Sequence, residues 1–527
     1  MIYHCEDHTC NYWDEGEKLP ERCPQCGRKL LRANEADMTG DDWTALGNTL
    51  WDAEASDKKR MVDCFRKAAY LGSAWGVCNL GICMEQGNGV EADPVQAFWL
   101  YQQAVEMGSL NAVCCLGVCY QYGIGTAPDA KQAAELYCKA AEYGSPRGQM
   151  LLARAFHDGI GVEADAAEAV YWVRAAAYQR YGEGMHRLGV CYEYGDGVEQ
   201  NWERAVHWFR EAAESGVSVA MADLGYCYEK GCGVEQSWEQ AFSWYRRGAE
   251  CGDPVSMCNL GYCYEKGCGV EQNWQEAIKW YEQGAQCGNL QSMHNLACCY
   301  EHGEGVEQNM TEAIRWYTAA AEGGNADDMY ELGWQYDHGE GVEQDMKKAI
   351  CWYERAAEQN HPAAMNSLGE CYAMGRGVPR DLETAMEWYR RAAELGEAMA
   401  DYNMGGHLEQ AGKLSEAYAH YRKAADGNDD SAWWALGRFY ENGVVVAQDG
   451  KEARRCYETG EKLGSVKCKM RLARCKLLGI GGRRAKKAGL DLCRQALELA
   501  KESSEKEDYG YEAEMNLLRR TIAENES

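Results

Sequence analysis

The chain has 527 residues, a formal net charge of -29, 58 Gly, 27 Cys, 18 Trp and 33 Tyr but only 6 Phe. Its hydrophobic fraction of 46% is ample for a large buried core, which excludes disorder as the overall state. The acidic balance excludes a basic footprint for nucleic acid or anionic membrane over most of the surface, and no stretch approaches the ~18–20 apolar residues of a membrane helix.

The first ten residues, MIYHCEDHTC, lack an apolar signal-peptide core, so a cytoplasmic, reducing location is the expectation. Residues 1–40 carry a cysteine cluster: Cys5 and Cys10, then Cys23-Pro24-Gln25-Cys26-Gly27. Two thiolate pairs are what a tetrahedral structural metal site needs, and a segment this short requires the metal to fold. The segment resembles a zinc ribbon or rubredoxin-like knuckle. Its second pair fits that pattern. The first pair is spaced more widely than C-x-x-C, and His4 and His8 lie close enough to compete as ligands. Zinc on Cys5, Cys10, Cys23 and Cys26 is the expected cofactor, and iron is the alternative because sulfur sites accept both. A closed four-thiolate site would be structural; a metal or redox sensor is the competing reading.

From residue 41 a repeat takes over. Gly89, Gly125, Gly161, Gly197, Gly233, Gly269, Gly305, Gly341 and Gly377 recur every 36 residues. A fixed period of that length signals a solenoid. In the copy from Val219 to Gly252, Ala220, Leu224, Gly225 and Tyr228 form one helical stripe. Gly231 and Gly233 mark a turn, and Trp238, Ala241, Trp244, Tyr245 and Ala249 form a second stripe. Each unit is thus a helix-turn-helix. Second helices can be followed to about residue 489, which gives about thirteen units over residues 41–508, with a local deletion near Ala411-Gly412. Tyr509, Met515, Leu517, Leu518 and Ile522 predict a capping helix within 509–527.

The pattern A-x-x-x-L-G-x-x-Y-x-x-G-x-G-V…A-x-x-W-Y-x-x-A-A-x-x-G resembles Sel1-like repeats over about residues 43–500. The resemblance implies an all-α, right-handed α-solenoid related to tetratricopeptide repeats, and a scaffold or adaptor that holds other proteins on its concave face.

Columns through the copies divide between packing and binding. Cys83, Cys119, Cys191, Cys227, Cys263, Cys299 and Cys371 follow the Leu-Gly step. Equivalent positions in stacked helices lie ~10 Å apart, too far for a disulfide, so core packing is expected. The same holds for Met185, Met221, Met257, Met293, Met329 and Met365, and for the Trp-Tyr doublets. Positions that vary between copies carry the binding expectation: Asp223, Asn259, Asn295 and Glu331; Tyr226, Tyr262 and Trp334; Glu229, Glu265, Glu301 and Asp337. On a concave wall they would form an acidic, aromatic-studded groove for a basic or amphipathic protein segment, the alternative being a merely solvated acidic face. Lys467, Lys469, Arg471, Arg474, Lys476, Arg483, Arg484, Lys486 and Lys487 run without an acid among them. This block, residues 467–487, is the one place where an acidic partner or nucleic acid fits; a solvated terminal helix pair is the competing reading.

No enzyme is expected. Ser56-Asp57-Lys58-Lys59 and Ser503-Ser504-Glu505-Lys506 fit S-x-x-K, the mark of a β-lactamase-like hydrolase, but no K-T-G accompanies them. The G-x-G turns follow no strand and recur in every unit, so they are not phosphate loops.

Overall fold

The computed structural model describes residues 2–5, 13–15, 30–33, 38–51, 55–506 and 511–526. Helices are numbered α1 to α27 along the chain. Thirteen successive hairpins, beginning with α1 (Gly40–Thr49) and α2 (Ala55–Tyr70) and ending with α25 (Val466–Leu478) and α26 (Lys486–Lys506), are followed by α27 (Glu512–Glu526). The array is therefore the all-α solenoid that the 36-residue period predicts. It divides into two compact units, Met1–Trp280 and Tyr281–Ser527.

Before the array lie three short strands, β1 (Ile2–Cys5), β2 (Trp13–Glu15) and β3 (Leu30–Ala33), in the antiparallel order β2-β1-β3. The register sets His4 opposite Trp13 and Cys5 opposite Leu30. Of the four expected metal ligands, Cys5 closes β1, while Cys10, Cys23 and Cys26 lie outside the described residues.

One hairpin shows how the repeat sequence makes the repeat structure. Helix α11 (Ser218–Lys230) stops at Gly231, whose φ of 73° is left-handed and whose N–H closes on the Cys227 carbonyl at 2.9 Å. Gly233, also left-handed, runs against the start of the preceding repeat's α10 (Trp202–Glu214); a β-carbon there would lie 2.4 Å from the Trp202 carbonyl. The first glycine therefore ends the helix and the second lets two repeats touch. Helix α12 (Trp238–Glu250) restarts at Ser237, whose hydroxyl accepts the Gln240 N–H.

The small residue of the Leu-Gly step has an equally specific cause. In nine hairpins the Tyr or Phe of the second helix packs against that glycine. A β-carbon on Gly225 would meet the Tyr245 ring at 2.5 Å, and Gly81 over Tyr101, Gly189 over Phe209 and Gly369 over Tyr389 repeat the contact. These rings are buried, with Tyr245 and Phe209 wholly so. The cysteine column is buried throughout, as expected for packing, and burial pushes the Cys83, Cys191 and Cys371 thiols up to about 11. Five of the six column methionines are buried and Met293 is half-buried. The doublet tryptophans are half-buried, five of them with a cation over the ring, as with Arg247 4.2 Å from Trp244 and Arg355 4.2 Å from Trp352.

Successive first helices also touch one another: α3 (Ala74–Gln86) with α5 (Leu110–Tyr122), α5 with α7 (Pro146–Asp158), and α11 with α13 (Pro254–Lys266) in the first unit; α17 (Ala326–His338) with α19 (Pro362–Met374) in the second. No helix among the described residues is long and apolar enough to cross a membrane.

Candidate functional site

The expected groove residues all fall on first helices. In the first unit, Asp223, Tyr226 and Glu229 lie on α11, and Asn259, Tyr262 and Glu265 on α13. In the second, Asn295 and Glu301 lie on α15 (Leu290–His302), and Glu331, Trp334 and Asp337 on α17. Their environments separate them into two groups.

The acids five residues after the leucine are engaged inside their own hairpins. The Tyr245 hydroxyl donates to Glu229 at 2.8 Å, Tyr317 to Glu301 at 2.7 Å, and Tyr353 to Asp337 at 3.5 Å. The same tie recurs as Tyr101 to Glu85 and Tyr457 to Glu441. Asp337 is 4% exposed and also accepts from Arg376 at 2.9 Å. Lys230 and Lys266 reach back to Glu229 and Glu265 at 2.7 and 2.6 Å. Burial, reinforced by the neighbouring carboxylate, pushes the Tyr245 phenol up from its ordinary value. These carboxylates hold second helices to first helices; they are not an unengaged acidic rail.

The residues two after the leucine behave differently. Tyr226 and Tyr262 are 43% and 39% exposed, although the hairpin tyrosines of the same repeats are buried. Trp334 is half-buried and stacks on His338 with centroids 4.4 Å apart. Asp223 accepts from His186 Nε2 at 2.7 Å, Asn295 from Gln291 at 3.0 Å, and Asn259 is half-buried. Burial raises the Glu331 carboxyl, and Glu301 adds to the rise.

Column reading passed over Cys298, which occupies the position of Tyr226, Tyr262 and Trp334 in its own repeat. Its Sγ lies 3.6 Å from His294 Nε2 and 3.3 Å from the Tyr317 hydroxyl. His294 Nδ1 meets Asp328, a fully buried acid, at 2.7 Å. The hydrogen bond His294 donates to Asp328, aided by its contact with Cys298, pushes His294 up to about 10. Burial pushes Asp328 up as well, and the bond from His294 pulls it back. The order Cys-His-Asp resembles a nucleophile relay, but the bonds that push His294 up favour its protonated form, which is a poor proton acceptor. Here it neutralises a buried acid.

The first unit also contains a cavity of about 530 Å³ between α7, α8 (Ala166–Tyr178) and α9 (Gly182–Tyr194). Val170 and Val173 contribute apolar lining, and Arg147, Arg154 and Arg187 bring guanidinium groups to it. His157 bridges Asp158 and Asp196 at 2.7 and 3.2 Å on the same lining. The net acidity of the chain gives no hint of this cluster, and residues 147, 154 and 187 belong to three different columns of the repeat.

The basic block is partly spent on the fold. Arg471 donates to both oxygens of Glu514 on α27, at 2.6 and 2.8 Å, and also reaches Glu441, as does Arg474. Arg484 donates to Asn525 at 2.7 Å. Ser56 and Ser503 lie on α2 and α26. Among the described residues no group of three or more His, Cys, Asp or Glu is placed to hold a metal.

Fold and site together define a helical-hairpin repeat protein with exposed tyrosines on its first helices. The Sel1 repeat model matches eleven segments between residues 76 and 465, and the chain belongs to the Sel1 repeat family. It is similar to c5321, a protective antigen present in uropathogenic Escherichia coli strains and displaying an SLR fold: 30% identity, 88% of this chain and 90% of that one covered, TM-score 0.56. It also matches a Sel1 repeat protein from Oxalobacter formigenes at 30% identity over 46% of this chain and 96% of that one, with a TM-score of 0.42. No curated protein matches.

Proposed function

We propose that the chain is a non-enzymatic scaffold whose first helices hold a segment of another protein. Sel1 and related solenoids generally mediate protein–protein interaction. The observation that carries the reading here is the exposure of Tyr226 and Tyr262 at positions that packing leaves undetermined. Exposed aromatic side chains on a rigid helix give large contact area at low entropic cost. Contacts between successive first helices support their lying on the inner curve of each unit. The partner is a basic or amphipathic segment, because the body of the chain is acidic. In the test, Tyr226, Tyr262 and Trp334 are replaced together by Ala and the protein is used for affinity capture in its native cell. Loss of the wild-type partners with unchanged helicity and melting is the expected result. Capture of the same partners by the variant removes the first-helix face from consideration.

We further propose that Cys5, Cys10, Cys23 and Cys26 hold one structural zinc. The strand register supports this: Cys5 is paired with Leu30, which Cys26 precedes by four residues, and the connection from β1 to β2 carries Cys10. Such a metal would supply folding free energy to this segment and no chemistry to the solenoid. Metal analysis of the purified chain is expected to find one zinc, absent after Cys23→Ser and Cys26→Ser. An apo wild-type protein with the same protease resistance at its N-terminus would contradict the assignment.

A further inference from the structure

We propose that the cavity between α7, α8 and α9 binds an aromatic carboxylate, whose ring fills the place of a side chain that this hairpin lacks. From Phe65 to Tyr457 every second helix except α8 carries a Tyr or Phe at the position of Tyr245, and all of these rings are buried. Helix α8 has Val173 there instead. Val173 lines the 530 Å³ cavity together with Ala153, which stands where α11 has Gly225. The space therefore opens at the position that neighbouring hairpins fill from within. Met150, Leu151 and Val170 continue its apolar wall, and its volume lies in the range that holds a small organic molecule.

The charged lining departs from the repeat at the same hairpin. Arg187 stands in the column of Asp223, Arg154 in that of Tyr226, and His157 in that of Glu229. Columns that hold two acids and an aromatic in α11 thus hold basic side chains here. The acids on the lining have partners of their own. Asp158 and Asp196 share His157; Asp158 also meets Arg154 Nε at 3.3 Å, and Asp196 meets Arg187 Nη2 at 3.9 Å. Glu183 accepts from the Tyr181 hydroxyl at 3.2 Å. Arg147 is different, because it has no ion-pair partner among the described residues. Its Nη1 donates to Asn111 Oδ1 at 2.7 Å and to Cys115 Sγ at 3.5 Å, both neutral or weak acceptors.

These two departures select the ligand. An apolar wall at the place of a missing ring suits an aromatic group. A guanidinium presents five N–H donors in a planar fork that matches a carboxylate, so Arg147 is the anchor for the acid. Arg187, whose ion pair is at the outer limit of distance, is the second donor. Asp158, Glu183 and Asp196 on the same lining oppose a dianion such as a phosphate monoester, and a single carboxylate meets the least repulsion. The site does not depend on what Tyr226 and Tyr262 hold, and either reading can fail without the other.

The test is calorimetric titration of the full-length chain with N-acetyl-phenylalanine. Saturable binding at one site per chain is the expected result, with binding of the uncharged N-acetyl-phenylalanine amide weaker by about tenfold or more. Arg147→Gln, a change at an exposed side chain, should weaken the acid by the same factor and leave the amide unaffected. Val173→Phe should put the missing ring back, hold or raise the melting temperature, and abolish binding. Ala153 is no obstacle to that ring, since Ala297 and Tyr317 are both buried in their own hairpin. A Gly-Ser peptide ending in phenylalanine separates the two sources of this chemistry: binding as tight as that of the free acid assigns a chain terminus, and its loss assigns a free aromatic acid. No saturable binding of N-acetyl-phenylalanine overturns the proposal. So does equal binding of acid and amide, an undiminished affinity in Arg147→Gln, or an undiminished affinity in a folded Val173→Phe protein.

Discussion

Replacing Arg471 with Ala is expected to detach the terminal helix α27 and expose the end of the array. Arg471 is 14% exposed, and its partners Glu441 and Glu514 are 10% and 9% exposed. One guanidinium thus neutralises two nearly buried carboxylates from different elements. Breaking such a network from one side leaves charge buried without compensation, at a cost of about 3–5 kcal/mol. Arg474 retains its contact with Glu441, so Glu514 is left as the orphan and α27 as the element that must move. Met515 and Leu518 of the helix, with Tyr511 just before it, share one buried cluster with Met470, Ala473 and Leu477; losing it uncovers an apolar strip that a terminal repeat must keep from water. Hydrogen exchange is the direct measurement. Amides of 512–526 should lose protection, those of α25 should weaken, and hairpins several repeats away should be unchanged, because solenoid stability is a sum of neighbour terms. Replacing Arg471 and Glu514 together by Met and Leu should restore most of the protection. Uniform loss along the whole chain in the single variant would show that the pair does not act as a local latch.

The Arg471 network also shows where sequence reading ends. The acid-free run from Lys467 to Lys487 invites a partner-binding interpretation, because a one-dimensional window does not contain Glu441 or Glu514. The repeat itself was legible. Its period is written in glycines whose conformations are local requirements, as at Gly231, or which recur with every stacking contact, as at Gly233. Whatever shares the period can be read as a column, so burial of the Cys and most of the Met column followed. The Tyr245–Glu229 tie was not legible, since it joins residues 16 apart across a turn and gives the glutamate a structural role that its charge does not advertise. The cavity arginines escape for a different reason. They break the period, and column reading discards what does not repeat. In a chain whose repeating residues serve packing, off-period residues are where individual chemistry collects.

The second large effect concerns a residue that does repeat. Gly225→Val is expected to destabilise its hairpin, and the direction follows from two opposed terms. Glycine within a helix costs about 1 kcal/mol relative to alanine, so removing it alone would help. Against that gain, the new β-carbon would stand 2.5 Å from Tyr245, a ring with no exposed surface and its hydroxyl already fixed on Glu229. Overpacking of this kind costs about 1–3 kcal/mol, and valine adds two methyl groups and a poorer helix propensity, which places it at the upper end. Alanine should be nearly balanced, and the chain supplies its own example: Ala297 stands at this position above Tyr317, and its hairpin still forms. A double-mutant cycle assigns the cause. In a Tyr245→Leu background the ring is gone, so Gly225→Ala should raise the melting temperature, while Gly225→Val should lose most of its penalty. If valine is equally damaging with and without the ring, then glycine is required at this position for the backbone and not for the tyrosine that covers it.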